Sequence, residues 1–198
     1  MYQSTAHVLH AERLACETAL LVLEAADIAA SARPGQFVMV RCGELPLRRP
    51  LSLHAVQDGR IALLFRVTGT GTDWLSRLDV GAHVSLTGPL GNGYTLPAPG
   101  ARPLLVAGGM GIAPLYFLAA WLPEPRHATL VYGVRSAAEV YRVPDALRSL
   151  MPGVAAVDEL EVLLATDDGS AGVHGSALDV ALPLLEQERN IYLCGPVG

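Results

Sequence analysis

A chain of 198 residues, 51% apolar and 17% charged, can bury a sizeable core as one large domain or two small ones. Its net charge of −5 leaves no basic excess to neutralise phosphates, which sets nucleic acid aside as a main partner. No apolar run reaches membrane-span length, and Met1-Tyr2-Gln3-Ser4-Thr5 lacks the basic-then-apolar pattern of a secretory signal.

The first half reads as short strands over Ala6–Leu14, Thr18–Ala26, Gln36–Cys42, Leu51–Gln57, Ile61–Val67 and Ala82–Thr87. Pro34-Gly35, Asp58-Gly59, Gly81 and Gly88-Pro89 punctuate them. Asp58-Gly59 between two apolar runs is a hairpin signal. One short helix interrupts the series at Asp73–Leu78, where Trp74, Leu75 and Leu78 have helical spacing and Thr72 is placed to cap. Six strands and one helix predict a small antiparallel barrel over residues 1–97.

Leu96-Pro97-Ala98-Pro99-Gly100-Ala101-Arg102-Pro103 then reads as a linker or domain edge. Beyond it the pattern alternates. Strands at Leu104–Ala107, Ala128–Tyr132, Leu160–Ala165 and Ile191–Cys194 are separated by helical stretches. These are Ile112–Trp121, Ala137–Leu150 with Pro144 as a breaker, and Ser176–Glu188 kinked at Pro183. The order β-α-β-α predicts a parallel α/β sheet over residues 98–198.

Chemistry concentrates in turns. Gly108-Gly109-Met110-Gly111-Ile112-Ala113-Pro114 follows a buried strand and opens a helix. Its free N–H groups and dipole end make an anion site, with a nucleotide pyrophosphate as the usual occupant. A plain strand-to-helix turn reads equally well from this stretch alone. Proline stands at the third glycine position of the dinucleotide fingerprint, and Tyr132-Gly133-Val134-Arg135 ends the next strand without an acid. An ordinary Rossmann dehydrogenase is therefore disfavoured. Arg48-Arg49-Pro50-Leu51-Ser52 brings guanidinium groups suited to phosphate, or two solvated surface arginines, to a strand entry. Leu64-Phe65-Arg66 precedes Gly69-Thr70-Gly71-Thr72, a second candidate anion turn or a simple helix cap. Gly88-Pro89-Leu90-Gly91-Asn92-Gly93 signals only a loop by itself. Thr166-Asp167-Asp168-Gly169-Ser170 and Tyr192-Leu193-Cys194-Gly195-Pro196 end strands at the same sheet edge as the first turn. The former reads as an Asx turn or a ligand loop, and Cys194 as a ligand contact or a small buried filler.

Cys16, Cys42 and Cys194 are too scattered for a disulfide framework or a metal site, which fits a reduced, cytoplasmic setting. The six histidines form no convincing ligand set, so their expected roles are structural and no metal is expected on them. No Gly-x-Ser-x-Gly elbow is present.

In order, Arg49-Pro50-Leu51-Ser52, Gly71-Thr72, Gly88 to Gly91, Gly108 to Pro114 and Cys194-Gly195-Pro196 resemble the ferredoxin–NADP reductase superfamily. Within it, the Arg-Pro-Leu-Ser form, the Gly-x-Gly-Thr turn, Tyr132 to Arg135 and Thr166 to Ser170 are similar to the electron-transfer subunits of NAD-dependent dihydroorotate dehydrogenases. The resemblance implies an FAD-binding barrel and an NAD-binding α/β domain. It places Arg49, Pro50, Leu51, Ser52, Leu64, Phe65, Arg66, Gly71 and Thr72 on FAD, with Arg49 at the pyrophosphate and Ser52 near the reactive edge. It places Gly108, Gly109, Met110, Gly111, Ile112, Asp168, Cys194, Gly195 and Pro196 on the pyridine nucleotide. Ser52 and Cys194 are the catalytic candidates.

The resemblance also implies a partner, an FMN-containing dihydroorotate dehydrogenase catalytic subunit. Its electrons would cross a [2Fe–2S] cluster to FAD and reduce NAD, in pyrimidine biosynthesis. The cluster is expected for the family on a cysteine-rich segment after Pro196. This chain carries no such ligand set, so a truncated C-terminus is expected. A diaphorase subunit of a hydrogenase or sulfhydrogenase, or another NAD(P)H-flavin reductase, would use the same motifs, and a non-catalytic flavin- or nucleotide-binding regulatory module is the alternative of another class. Asp167 and Asp168 near an adenosine ribose would favour NAD over NADP, whereas Arg135 argues the other way.

Overall fold

The computed structural model describes residues 2–185 and 190–196. Six antiparallel strands come first: β1 (Tyr2–Arg13), β2 (Thr18–Glu24), β3 (Phe37–Val40), β4 (Arg49–Gln57), β5 (Arg60–Arg66) and β6 (His83–Leu90). They form a closed barrel in the order β1-β2-β5-β4-β3-β6. All six coincide with runs read from the sequence, because apolar stretches bounded by turn residues are strong strand signals. The β4–β5 hairpin turns through Asp58 (φ 50) and Gly59 (φ 77), the positive-φ pair that matches strand twist.

Burial explains why β2 and β5 read as unbroken apolar runs. Leu21, Leu23, Ile61, Leu63 and Phe65 fill the barrel with Val38, Val40 and Leu53. Leu20, Val22, Ala62 and Leu64 face outward and pack against the second half of the chain. β6 is buried mainly at alternate positions, which gives it a period of two.

Two barrel details differ from the sequence expectation. A four-residue helix α1 (Ala26–Ala29) sits between β2 and β3, too short to leave a periodic signal. The expected helix at Asp73–Leu78 starts three residues earlier as α2 (Thr70–Leu75). Thr72 caps from inside the first turn: its hydroxyl accepts the N–H groups of Thr68 at 2.9 Å and Gly69 at 3.2 Å.

The second half is a parallel sheet of β7 (Leu104–Gly108), β8 (Thr129–Val134), β9 (Glu161–Thr166), β10 (Val173–His174) and β11 (Ile191–Cys194), ordered β10-β9-β8-β7-β11. The four expected strands are present, and the two-residue β10 is an addition at the edge. Helix α3 (Ile112–Ala119) packs on one face with Leu105, Leu130 and Tyr132. Helix α5 (Ala177–Ala181) packs on the other with Leu104, Val106 and Val131.

Prolines divide the longer helices read from sequence. The stretch 137–150 becomes a 3-10 turn at Ala137–Glu139 and helix α4 (Asp145–Leu150), with Pro144 at its N-cap. The stretch from Ser176 gives α5 and then a 3-10 turn at Leu182–Leu184 containing Pro183. Its expected end at Glu188 lies outside the described residues. The barrel's outward residues Leu20, Val22, Ala55 and Leu64 share one apolar core with Leu115 and Leu118 of α3, so the two halves are joined through a common apolar core.

Candidate functional site

β7 ends in the glycine turn, and the turn's shape follows from contact with β11. A Cβ on Gly111 would fall 1.9 Å from the Cys194 carbonyl oxygen. Only glycine lets the start of α3 lie against that strand end. Gly109 has φ +51 and open space where a Cβ would stand, leaving its backbone accessible to a ligand. Gly108 and Gly195 meet beside them, since a Cβ on Gly195 would be 3.1 Å from Gly108 Cα.

This turn forms one wall of a cleft of about 760 Å3 between the two halves. Gly108, Gly109, Met110, Gly111, Cys194, Gly195 and Pro196 line it from the sheet, and Ser52 and Arg66 line it from the barrel. Nine sequence-predicted residues therefore share one cavity, though 42 or more positions separate its barrel and sheet members. Cys194 is half-buried, and burial pushes its thiol up. It therefore stands as a neutral thiol and not a thiolate.

Arg49 lies outside this cleft, beside α2. A Cβ on Gly71 would meet Arg49 Nε at 2.8 Å, so Gly71 admits the guanidinium stem to the start of α2. Arg49 Nη1 donates to the Leu47 carbonyl at 3.1 Å. The structure thus brings Arg49, Gly71 and Thr72 together as one cationic corner. The Thr72 hydroxyl is already engaged with Thr68 and Gly69, and α2 spans only six residues. Arg49 carries the charge of this corner.

The other predicted residues contribute through backbone or packing. Leu51, Leu64, Phe65 and Ile112 are buried at 9% exposure or less, and Pro50 is exposed at the start of β4. Asp168 is turned away into an Asx turn, where its Oδ1 accepts the Ser170 N–H at 2.9 Å. Hydrogen bonds from Ser170 hold the Asp168 carboxyl below the usual range. Its neighbour Asp167 lines the cleft instead.

Sequence reading missed Glu139. Its carboxylate accepts Arg66 Nη2 at 2.9 Å and Arg135 Nε at 2.7 Å, which links β5 to the end of β8 across the cleft. Burial pushes the Glu139 carboxyl up, but the bonds from Arg66 and Arg135 outweigh it and hold it below the usual carboxylate range. The Arg135–Glu139 spacing of four was a legible ion-pair signal; the contact with Arg66 was not. Arg66 Nε is buried without a hydrogen-bond partner among the described residues, a donor left over for a ligand in the cleft.

Among the described residues no three His, Cys, Asp or Glu side chains converge, and all three cysteines are free. They offer no ligand set for an iron–sulfur cluster. No helix among the described residues is long and apolar enough to cross a membrane.

A closed flavin-type barrel facing a parallel nucleotide-type sheet across a glycine-walled cleft defines a ferredoxin–NADP reductase-like protein. A solved NADH-dependent reduced ferredoxin–NADP oxidoreductase superposes with a TM-score of 0.76 at 28% identity, covering 96% of this chain and 67% of that one. No family model matches the chain. Two curated relatives are both named dihydroorotate dehydrogenase B (NAD(+)), electron transfer subunit. That of Desulforamulus reducens is 41% identical, over 96% of this chain and 72% of its own length. That of Clostridium acetobutylicum is 32% identical, over 83% of this chain and 62% of its own length. The chain belongs to the family of these electron transfer subunits, which are oxidoreductase components.

Proposed function

We propose that the chain carries FAD on the barrel and NAD on the parallel sheet, and passes electrons between a dihydroorotate dehydrogenase catalytic subunit and NAD in the cytoplasm. In this reading residues 1–97 form the flavin unit and 98–198 the nucleotide unit. The observation that carries it is the single cleft in which Ser52 and Arg66 face Gly108 to Gly111 and Cys194 to Pro196. Two redox rings must meet face to face for a hydride to pass, and a cleft walled by both halves supplies that meeting point.

The described residues fit the cofactors. Arg49 beside Gly71 offers a planar donor fork to a pyrophosphate. The unpartnered Arg66 Nε offers a further donor. The main-chain groups of Gly109 to Gly111 at the start of α3 offer a second phosphate seat. When bound, FAD supplies the conversion between two-electron and one-electron transfer. The protein's own tasks are to orient the two rings, to exclude water from the cleft, and to present the Ser52 hydroxyl beside the flavin. Cys194, held neutral by burial, contacts the nicotinamide without competing as a nucleophile. The catalytic subunit, FMN-containing by the family resemblance, is the partner.

An anaerobic absorbance spectrum tests this reading. The purified chain reconstituted with FAD should show a flavin spectrum that bleaches on adding NADH. With the partner catalytic subunit present, dihydroorotate should bleach the same band. A chain that takes up no FAD, or a flavin that NADH leaves oxidised, overturns it.

A further inference from the structure

β4 carries one residue more than β5 where the two strands pair. Leu53 lies opposite Leu63 and Ala55 opposite Ala62, so His54 has no counterpart. Such a bulge re-aims a side chain. Leu53 fills the barrel, whereas Ala55 packs in the core shared with α3. His54 reaches the same interface and is 1% exposed.

Its ring touches two separate elements of the other half. Nδ1 lies 3.1 Å from the Ala113 carbonyl oxygen in the first turn of α3. Nε2 lies 2.9 Å from the Tyr141 hydroxyl. A carbonyl only accepts, so Nδ1 carries the proton and Nε2 accepts from Tyr141. The Tyr116 ring stacks at 5.9 Å and the Tyr141 ring meets it edge-on at 5.3 Å. The Tyr141 main-chain N–H donates to the Tyr132 hydroxyl at 3.4 Å, which continues the chain to β8. Burial pushes His54 down to about 4, which keeps the ring neutral near pH 7.

Ser52 stands two residues before His54, and Gly111 two residues before Ala113. We propose that His54 is a positioning residue: by joining β4 to α3 it sets the separation of Ser52 from the Gly109–Gly111 turn, and so of the flavin from the nicotinamide. The cofactor assignment rests on the function proposed above; the joint itself rests on the bulge and the two hydrogen bonds.

Two measurements on the FAD-loaded protein test it. In 15N-histidine NMR, His54 should show the Nδ1–H tautomer and no titration between about pH 8 and 5.5. In stopped flow, His54→Ala should slow flavin reduction by NADH on the order of tenfold to a hundredfold. The FAD and NADH dissociation constants should stay within about twofold. His54→Asn, which keeps a donor to Ala113, should recover most of the rate. His54→Gln, placed to keep only the Tyr141 bond, should recover less. An unchanged rate in His54→Ala overturns the proposal, even with lowered stability. Should that variant fail to fold, equal rates in the Asn and Gln variants overturn it. A His54 that titrates near 6.5 overturns the joint alone, whereas a wild-type flavin that NADH leaves oxidised overturns the cofactor reading beneath it.

Discussion

The barrel and the parallel sheet hold their functional residues in different ways. The barrel closes on itself, and its strands β2 and β5 are buried on both faces. Arg49 and Ser52 hang on that closed frame. The sheet is open: β10 has two residues, and Ile191 and Leu193 on the edge strand β11 are 49% and 62% exposed. Its helices α3, α4 and α5 have only eight, six and five residues. The glycine turn is therefore held less by regular structure than by specific contacts, with β11 on one side and His54 on the other. Substitution of a ligand-facing barrel residue such as Arg49 should change ligand affinity and leave the frame intact. Substitution at the contacts that brace the turn, Gly111 and His54, should change the frame itself.

The sharpest way to break this contrast is Gly111→Ala. Its φ is −59, so the backbone accepts alanine, but the added Cβ would sit 1.9 Å from the Cys194 carbonyl oxygen. β11 and α3 must part. Overpacking of this kind against backbone should cost more than about 3 kcal/mol and abolish NADH-dependent flavin reduction. Urea unfolding and the NADH titration check it. Full stability would show that the turn is not braced by β11.

The His54 joint gives the next largest effect, through pH. Its folded pKa of about 4 lies below the ordinary value of 6.5, so between these values the unfolded state binds the extra proton. The joint's contribution is then fully present above about pH 6.5 and is lost as pH falls toward 4, amounting to roughly 3 kcal/mol. Tyr116 and Tyr141 face the ring, and Arg148, Asp158 and Glu12 act on those tyrosines. These charged groups are the same in wild type and variant, so the comparison with His54→Asn isolates the histidine. The stability gap between wild type and variant should close by about that amount from pH 7.5 to 4. A constant gap would mean that His54 does not titrate with unfolding.

On the barrel side, Arg49→Ala should weaken FAD binding by about 2 kcal/mol, the worth of one charge-assisted hydrogen bond. Thermal stability should be nearly unchanged, because among the described residues the Arg49 side chain makes one hydrogen bond, to the Leu47 carbonyl. Isothermal titration with FAD and a melting curve separate the two effects.

Legibility in the sequence follows the same division. All six barrel strands were readable, because apolar runs and Asp58-Gly59 turn chemistry are local signals. The four main strands of the sheet were readable for the same reason. The breaks at Pro144 and Pro183 were readable too, but the extents of the helical pieces around them were not, since periodicity does not separate a 3-10 turn such as Ala137–Glu139 from an α-helix. Of the site, the glycine turn, Ser52, Arg66 and Cys194 to Pro196 were legible as motifs, and the structure puts them in one cleft. His54 was not legible. A bulge and a carbonyl 59 residues away leave no mark on neighbouring sequence. Asp168 was legible only as an Asp-Asp pair, and which member faces the cleft is decided by the Ser170 hydrogen bond.

Glu139→Gln sharpens the contrast at its mildest point, where the two halves meet. The carboxylate sits between Arg66 and Arg135, with 12% of its side chain exposed. Glutamine keeps the shape and one acceptor oxygen but removes the charge, so the cleft becomes one unit more positive. Arg135 follows β8, where an adenosine ribose would be read, and its side chain is 71% exposed. Solvent screening limits its electrostatic gain to below about 1 kcal/mol. NADPH, with its 2′-phosphate, should therefore improve relative to NADH by less than about fivefold in kcat/KM. Asp167, which also lines the cleft, continues to oppose it. An unchanged ratio would place Arg135 away from the ribose, and a reversal of preference would mean that Glu139 alone excludes the phosphate.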